Sequence, residues 1–126
     1  MESLSPNMIV YNVNDTVDYY RSYFDFTLVA SIPEEGDFQW AMMSSGNVTL
    51  MFQTKESILE DLPEFKDLDP GGTLTLFIKT NDVENIYENI KDNVEVVVDL
   101  HTTFYNMIEF TIRDLNGYIL TFAKDA

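Results

Sequence analysis

No cysteine occurs in the sequence, which excludes disulfides, thiolate zinc sites and cysteine nucleophiles together. A single histidine, His101, excludes any site that needs two imidazoles from one chain. Basic residues are scarce: seven lysines and arginines stand against 22 aspartates and glutamates, a net charge of −15. That field repels phosphate backbones, so nucleic acid is not an expected partner, while cations are drawn to it. Apolar runs are short, and none approaches the roughly 20 residues that a spanning helix needs. Met1 to Asn7 has neither the basic start nor the apolar stretch of a signal peptide. The expectation is a cytoplasmic protein without membrane contact.

What is present is core material. Forty-five per cent of the 126 residues are apolar and 13% aromatic, enough for one domain that needs no covalent staple. Residues 8–13 are β-branched and aromatic and read as a strand. Asn14-Asp15-Thr16 offers capping oxygens, and Val17, Tyr20 and Phe24 then mark one face of a helix over 14–24. Strands follow at 26–32, 38–43 and 47–53, with Glu34-Glu35-Gly36-Asp37 as a turn. Residues 54–72 are polar and acidic, contain Pro63 and Pro70, and read as a linker with one helical turn. A strand at 73–79, a helix at 83–91 capped by Asn81-Asp82, and strands near 94–100, 104–112 and 118–124 complete the chain.

The second half repeats the first. Asn14-Asp15 precedes Asn81-Asp82 by 67 residues, each pair closing a strand and opening a helix. Gly46 precedes Gly117 by 71 residues, each turning into a strand. Two matches in the same order at nearly the same offset point to a duplicated βαβββ unit: an α+β domain of modules at about 7–53 and 73–124.

Longer stretches resemble a known family. Ile108-Glu109-Phe110-Thr111-Ile112-Arg113-Asp114-Leu115-Asn116-Gly117-Tyr118-Ile119-Leu120-Thr121-Phe122 is similar to the closing hairpin of the vicinal-oxygen-chelate superfamily, which includes glyoxalase, bleomycin-resistance proteins and extradiol dioxygenases. Leu115 replaces the family's usual proline there. Val13-Asn14-Asp15-Thr16-Val17-Asp18-Tyr19-Tyr20 resembles the opening motif, and Gln39-Trp40-Ala41-Met42 with Leu50-Met51-Phe52-Gln53 resembles the middle hairpin. The resemblance runs from about Asn7 to Phe122. It implies curved mixed sheets around a cleft, and a homodimer, because family members complete their clefts from two chains.

The resemblance also locates the positions at which the family's enzymes hold a divalent metal. One lies seven residues before each helix-capping acid and one in the fourth strand of each module. Counted from Asp15, Asp82, Gly46 and Gly117, they are Met8, Thr75, Leu50 and Thr121. None is a carboxylate or an imidazole, so the expectation is no metal and no cofactor. Asp67-Leu68-Asp69-Pro70-Gly71-Gly72 hints at a calcium loop but has Ile78 where a closing glutamate is required. Asn14-Asp15-Thr16 and Asn47-Val48-Thr49 match glycosylation sequons without a secretory context. His101 reads as a surface-loop residue.

Strand alternation assigns faces. Ile108, Phe110 and Ile112 share the helix side of their strand, leaving Met107, Glu109 and Thr111 opposite. Ile9, Tyr11 and Val13 are assigned to the helix, which leaves Met8 and Asn12 on the other face, with Thr75, Phe77 and Lys79. Through the repeat offset Phe38, Trp40, Met42, Leu50 and Phe52 join them. The resemblance implies that this face, with Thr121, lines a ligand cleft. The favoured function is metal-free binding of an aromatic or amphipathic small molecule, with a cation as one option. Alternatives are a metal-independent enzyme in which Glu109 is acid or base, and a structural dimer module.

Overall fold

Helix α1 (Val13–Phe24) begins where it does because Val13, Thr16, Val17, Tyr20 and Phe24 form one buried stripe at helical spacing. In the computed structural model, which describes residues 1–126, Asn12 stands just before that stripe in an extended conformation. Its side-chain oxygen accepts from the Asp15 N–H at 2.8 Å, and its carbonyl accepts from the Thr16 N–H at 3.1 Å. Asn12, not Asp15, is therefore the cap. Asn14 serves the next loop instead, donating to the Gly36 carbonyl and accepting from the Phe38 N–H.

The chain forms two compact units, Met1–Pro70 and Gly71–Ala126. In the first, β1 (Asn7–Val10), β2 (Thr27–Ile32), β3 (Trp40–Ser45) and β4 (Val48–Thr54) form a sheet in the order β1-β4-β3-β2. Strand β1 runs parallel to β4, and the other pairs are antiparallel. Tyr20 of α1 stacks on Phe52 with ring centroids 5.1 Å apart. Met8 and Ala41 are in register with Phe52, and Met43 with Leu50, so these side chains share the face under α1, and all are buried. The segment expected as a loop with one helical turn forms α2 (Lys55–Asp61) and a short 3-10 turn, Pro63–Phe65. Thr54 caps α2 through the Ser57 N–H at 3.1 Å, and Ile58 anchors it.

The second unit has the same plan. Strands β5 (Thr75–Lys79), β6 (Glu95–Thr102), β7 (Met107–Arg113) and β8 (Ile119–Asp125) form a sheet in the order β5-β8-β7-β6, with α3 (Val83–Ile90) between β5 and β6 in the chain. Phe110 stacks on Phe122 at 5.2 Å and meets Tyr87 of α3 at 5.3 Å. The β7–β8 turn is held by Asp114, whose carboxylate accepts from the N–H groups of Asn116 and Tyr118, both at 2.9 Å. Gly117 completes that turn at a φ of 90°, where a side chain would be strained. No helix of the protein is long and apolar enough to cross a membrane.

Two face assignments made from the sequence are corrected. Val13 is helical, so alternation cannot be carried back through it into β1. Ile9 therefore lies opposite α1, while Met8 packs beneath the helix. Leu50 and Phe52 also face α1, because the glycines used to align the repeats sit in unlike turns. Ser45 pairs with Val48 across a two-residue turn, whereas Arg113 pairs with Ile119 across a longer one. Urea denaturation checks this arrangement. Phe52→Ala should cost about 3–5 kcal/mol by opening a cavity under α1. Phe77→Ala, on the opposite face of its own sheet, should cost about 1 kcal/mol or less.

Candidate functional site

The face of the second sheet turned away from α3 carries the odd-numbered residues of β5, β7 and β8. Thr75, Phe77 and Lys79 line β5, Met107, Glu109 and Thr111 line β7, and Thr121 lies between them on β8. The Thr111 and Thr121 hydroxyls bond to each other at 2.8 Å. Phe77, beside Thr121, is 54% exposed although large and apolar. Lys79 is held by Asp125 at 3.3 Å. The face is mixed: Phe77 and Met107 are its apolar members among these residues, beside three threonines, a lysine and a glutamate.

Glu109 is the unusual member. It is only 8% exposed, and one carboxylate oxygen, Oε1, accepts from the Tyr105 hydroxyl at 2.7 Å. The other, Oε2, is buried and has no hydrogen-bond partner. A buried acceptor left unsatisfied costs about 1–3 kcal/mol, and more when charged, so such a group calls for a physical reason. No lysine, arginine or histidine forms an ion pair with Glu109.

Two residues here escaped the sequence reading. Tyr105 lies in the β6–β7 turn, closed by the Thr103 N–H on the Met107 carbonyl, which carries its ring back toward Glu109. His101 is a strand residue, not a loop residue, and pairs in register with Glu109 across β6 and β7. Its Nδ1 lies 2.8 Å from the Asp99 carbonyl, which can only accept, so Nδ1 carries the proton and Nε2 is the free nitrogen. The signal for His101 was hairpin register: pairing Thr102 with Ile108 sets His101 opposite Glu109.

The first sheet keeps only part of its expected set. Trp40 and Met42 do lie on the face away from α1, half-buried, with Ile9, Met51 and Gln53. Met8, Leu50 and Phe52 do not, since all three pack under the helix. Asn12 is occupied as the cap of α1, and Phe38 precedes β3 in the loop tied to Asn14. Gln53 is engaged on both sides, accepting from Asn7 at 2.8 Å and donating to Ser57 at 2.9 Å.

The positions at which the resemblance placed a metal shift with these corrections. Seven residues before the true cap, Asn12, is Ser5, whereas Thr75 keeps its place before Asp82. Phe77 pairs with Thr121 as Asn7 pairs with Met51, so Met51 replaces Leu50. Serine, methionine and two threonines do not fit a divalent cation that requires carboxylate or imidazole donors. No three His, Asp or Glu side chains gather closely enough to hold a metal elsewhere.

Comparison with known proteins supplies a family. The family model described as Glyoxalase/Bleomycin resistance protein/Dioxygenase superfamily matches residues 5–122. Among solved structures, TioX from Micromonospora sp. ML1 is 17% identical with a TM-score of 0.80, each chain covered in full. A protein of unknown function from Agrobacterium tumefaciens str. C58 is 16% identical with a TM-score of 0.83, covering 100% of this chain and 95% of that one. A glyoxalase/bleomycin resistance protein/dioxygenase family enzyme from Burkholderia phytofirmans PsJN is 15% identical, covering 97% of each chain with a TM-score of 0.78. At these identities the likeness is one of fold. No curated protein sequence matches the chain significantly.

The bond to Glu109 raises the Tyr105 pKa above its ordinary value of 10, with burial adding to the shift. The raised value means that the bond's contribution to stability is complete below pH 10 and is lost as pH rises through the folded-state pKa. Spectrophotometric titration of the tyrosines, with Tyr105→Phe identifying the signal, should show this hydroxyl ionising late. Glu109→Gln should move it back toward the ordinary value, and no movement would contradict the assignment.

Proposed function

Because the chain belongs to the Glyoxalase/Bleomycin resistance protein/Dioxygenase superfamily, we propose that it binds an aromatic or amphipathic small molecule on the uncovered face of its second sheet, without a metal. The observation that carries this reading is the buried, half-satisfied carboxylate of Glu109 on the same face as the exposed ring of Phe77. Phe77, Met107 and the methyl groups of Thr111 and Thr121 supply apolar contact, and Glu109 supplies orientation. Thr75 and Lys79 border the face on β5. In the first unit, taken by itself, Trp40 and Met42 lie on the face of their own sheet turned away from α1. The reading includes a homodimer, supported by Val97, Val98, Phe104 and Leu115, apolar side chains exposed in the single chain.

A second reading, a metal-independent enzyme, is favoured by the placement of His101 opposite Glu109. A buried carboxylate and an imidazole with one free nitrogen are groups that move protons. Glu109→Gln separates the two: an acid–base enzyme would keep its ligand and lose turnover, whereas a protein that binds a cation would bind it more weakly.

Calorimetric titration with a panel of aromatic metabolites tests the favoured reading. At least one should bind, and Phe77→Ala should weaken it by about tenfold, the loss of roughly 1.4 kcal/mol of ring contact. Equal affinity in wild type and Phe77→Ala would place binding elsewhere. Protein incubated with nickel, zinc, manganese or iron should retain none after desalting; one equivalent bound would overturn the metal-free part. Sedimentation equilibrium at micromolar concentration should return a dimer, and a monomer alone would remove that part.

A further inference from the structure

Six of the seven basic side chains are committed to acids at the surface: Arg21 to Asp18, Lys55 to Asp69, Lys79 to Asp125, Lys91 to Glu88, Arg113 to Glu95 and Lys124 to Glu84. Lys66 is the exception and is exposed. Glu109 is more than nine-tenths buried, yet it receives none of these cations. Its one bond comes from a neutral hydroxyl, and Oε2 receives nothing. A neutral donor satisfies a lone pair but brings no compensating charge to the carboxylate.

The Tyr105 hydroxyl marks the direction from which a donor reaches this carboxylate. Tyr105 is half exposed in the β6–β7 turn, and its neighbour Phe104 is 98% exposed, with the two rings meeting edge to face at 5.0 Å. Swinging Tyr105 aside gives up its bond to Glu109. Phe77 presents an exposed ring on the same face, and a ring face attracts cations.

From this geometry we infer that the ligand carries a primary or secondary ammonium group, which displaces the Tyr105 hydroxyl and donates to both oxygens of Glu109. This rests on the reading of the uncovered face as a binding surface. It goes further in fixing the charge and donor count of the ligand and in making Tyr105 a latch that closes the empty site.

Two-dimensional amide NMR with benzylammonium, benzyltrimethylammonium, benzyl alcohol and phenylacetate tests it at neutral pH. Benzylammonium should shift the amides of Phe77, Glu109, Thr111 and Thr121 and bind more tightly than the other three. Glu109→Gln should weaken it by about tenfold, the scale of one charge-assisted bond. Tyr105→Phe keeps the ring and removes the latch, so it should tighten benzylammonium by about threefold. Equal binding by benzyltrimethylammonium, which has no N–H, would overturn the donor requirement. Equal binding by benzyl alcohol or phenylacetate would overturn the ammonium while leaving the face a binding surface. Should no probe shift these amides, the binding surface itself is refuted and the inference with it. If Glu109→Gln fails to fold, Tyr105→Phe decides alone, and weakened binding in that variant would overturn the latch.

Discussion

Burying Phe110 between Phe122 and Tyr87 leaves Glu109 no choice of side. Adjacent strand residues point to opposite faces, so an aromatic committed to the helix sends its neighbour to the uncovered face. Register then sets the company Glu109 keeps: His101 across one strand pair and Ala123 across the other. The same constraint works in the first unit, where Tyr20 on Phe52 fixes Met8 and Leu50 beneath α1 and puts Trp40 on the other side. A one-residue slip in either sheet would exchange core and surface wholesale, so these stacked rings determine which side chains each face presents.

The fold was legible because its signals are local and repeated. Two strand–helix units, two hairpins closed by glycine turns and the Arg113-to-Gly117 turn were each readable from a few residues. Parity was less secure, and it failed where one turn was misread. Asn12 and Asn14-Asp15 offer equivalent capping chemistry, and only the buried stripe beginning at Val13 chooses between them. Met8 falls on the other face from that expected because alternation does not run through the helical Val13, and Leu50 and Phe52 do so because the two glycine turns differ in length. Thr75, Phe77, Lys79, Met107, Glu109 and Thr121 kept their face, since alternation within β5, β7 and β8 is unbroken; Asp82 stands at the N-cap position of α3 but its side chain makes no capping bond. The contact from Tyr105 to Glu109 lay beyond sequence reasoning, because it depends on how the 103–106 turn folds.

Charge plays a divided part. The ion pairs join exposed side chains, where solvent screening leaves each worth little, and a net charge of −15 opposes compaction. Cohesion therefore rests on the aromatic and aliphatic layers beneath α1 and α3. Against that background an acid withdrawn from solvent, satisfied on one oxygen only and supplied with no cation, is out of keeping with a purely structural role. Asp114 shows the contrast. It too is buried, but its carboxylate accepts two backbone N–H groups and holds a turn.

The central claim is that the uncovered face of the second sheet binds a small molecule through Glu109 and Phe77. A crystal structure of the protein with a ligand found by titration tests this most directly. The account predicts density against the Phe77 ring, a donor atom within hydrogen-bond distance of Glu109 Oε2, and Tyr105 turned away from the carboxylate. Density at another surface, with the bond from Tyr105 to Glu109 intact and Oε2 still without a partner, would contradict it.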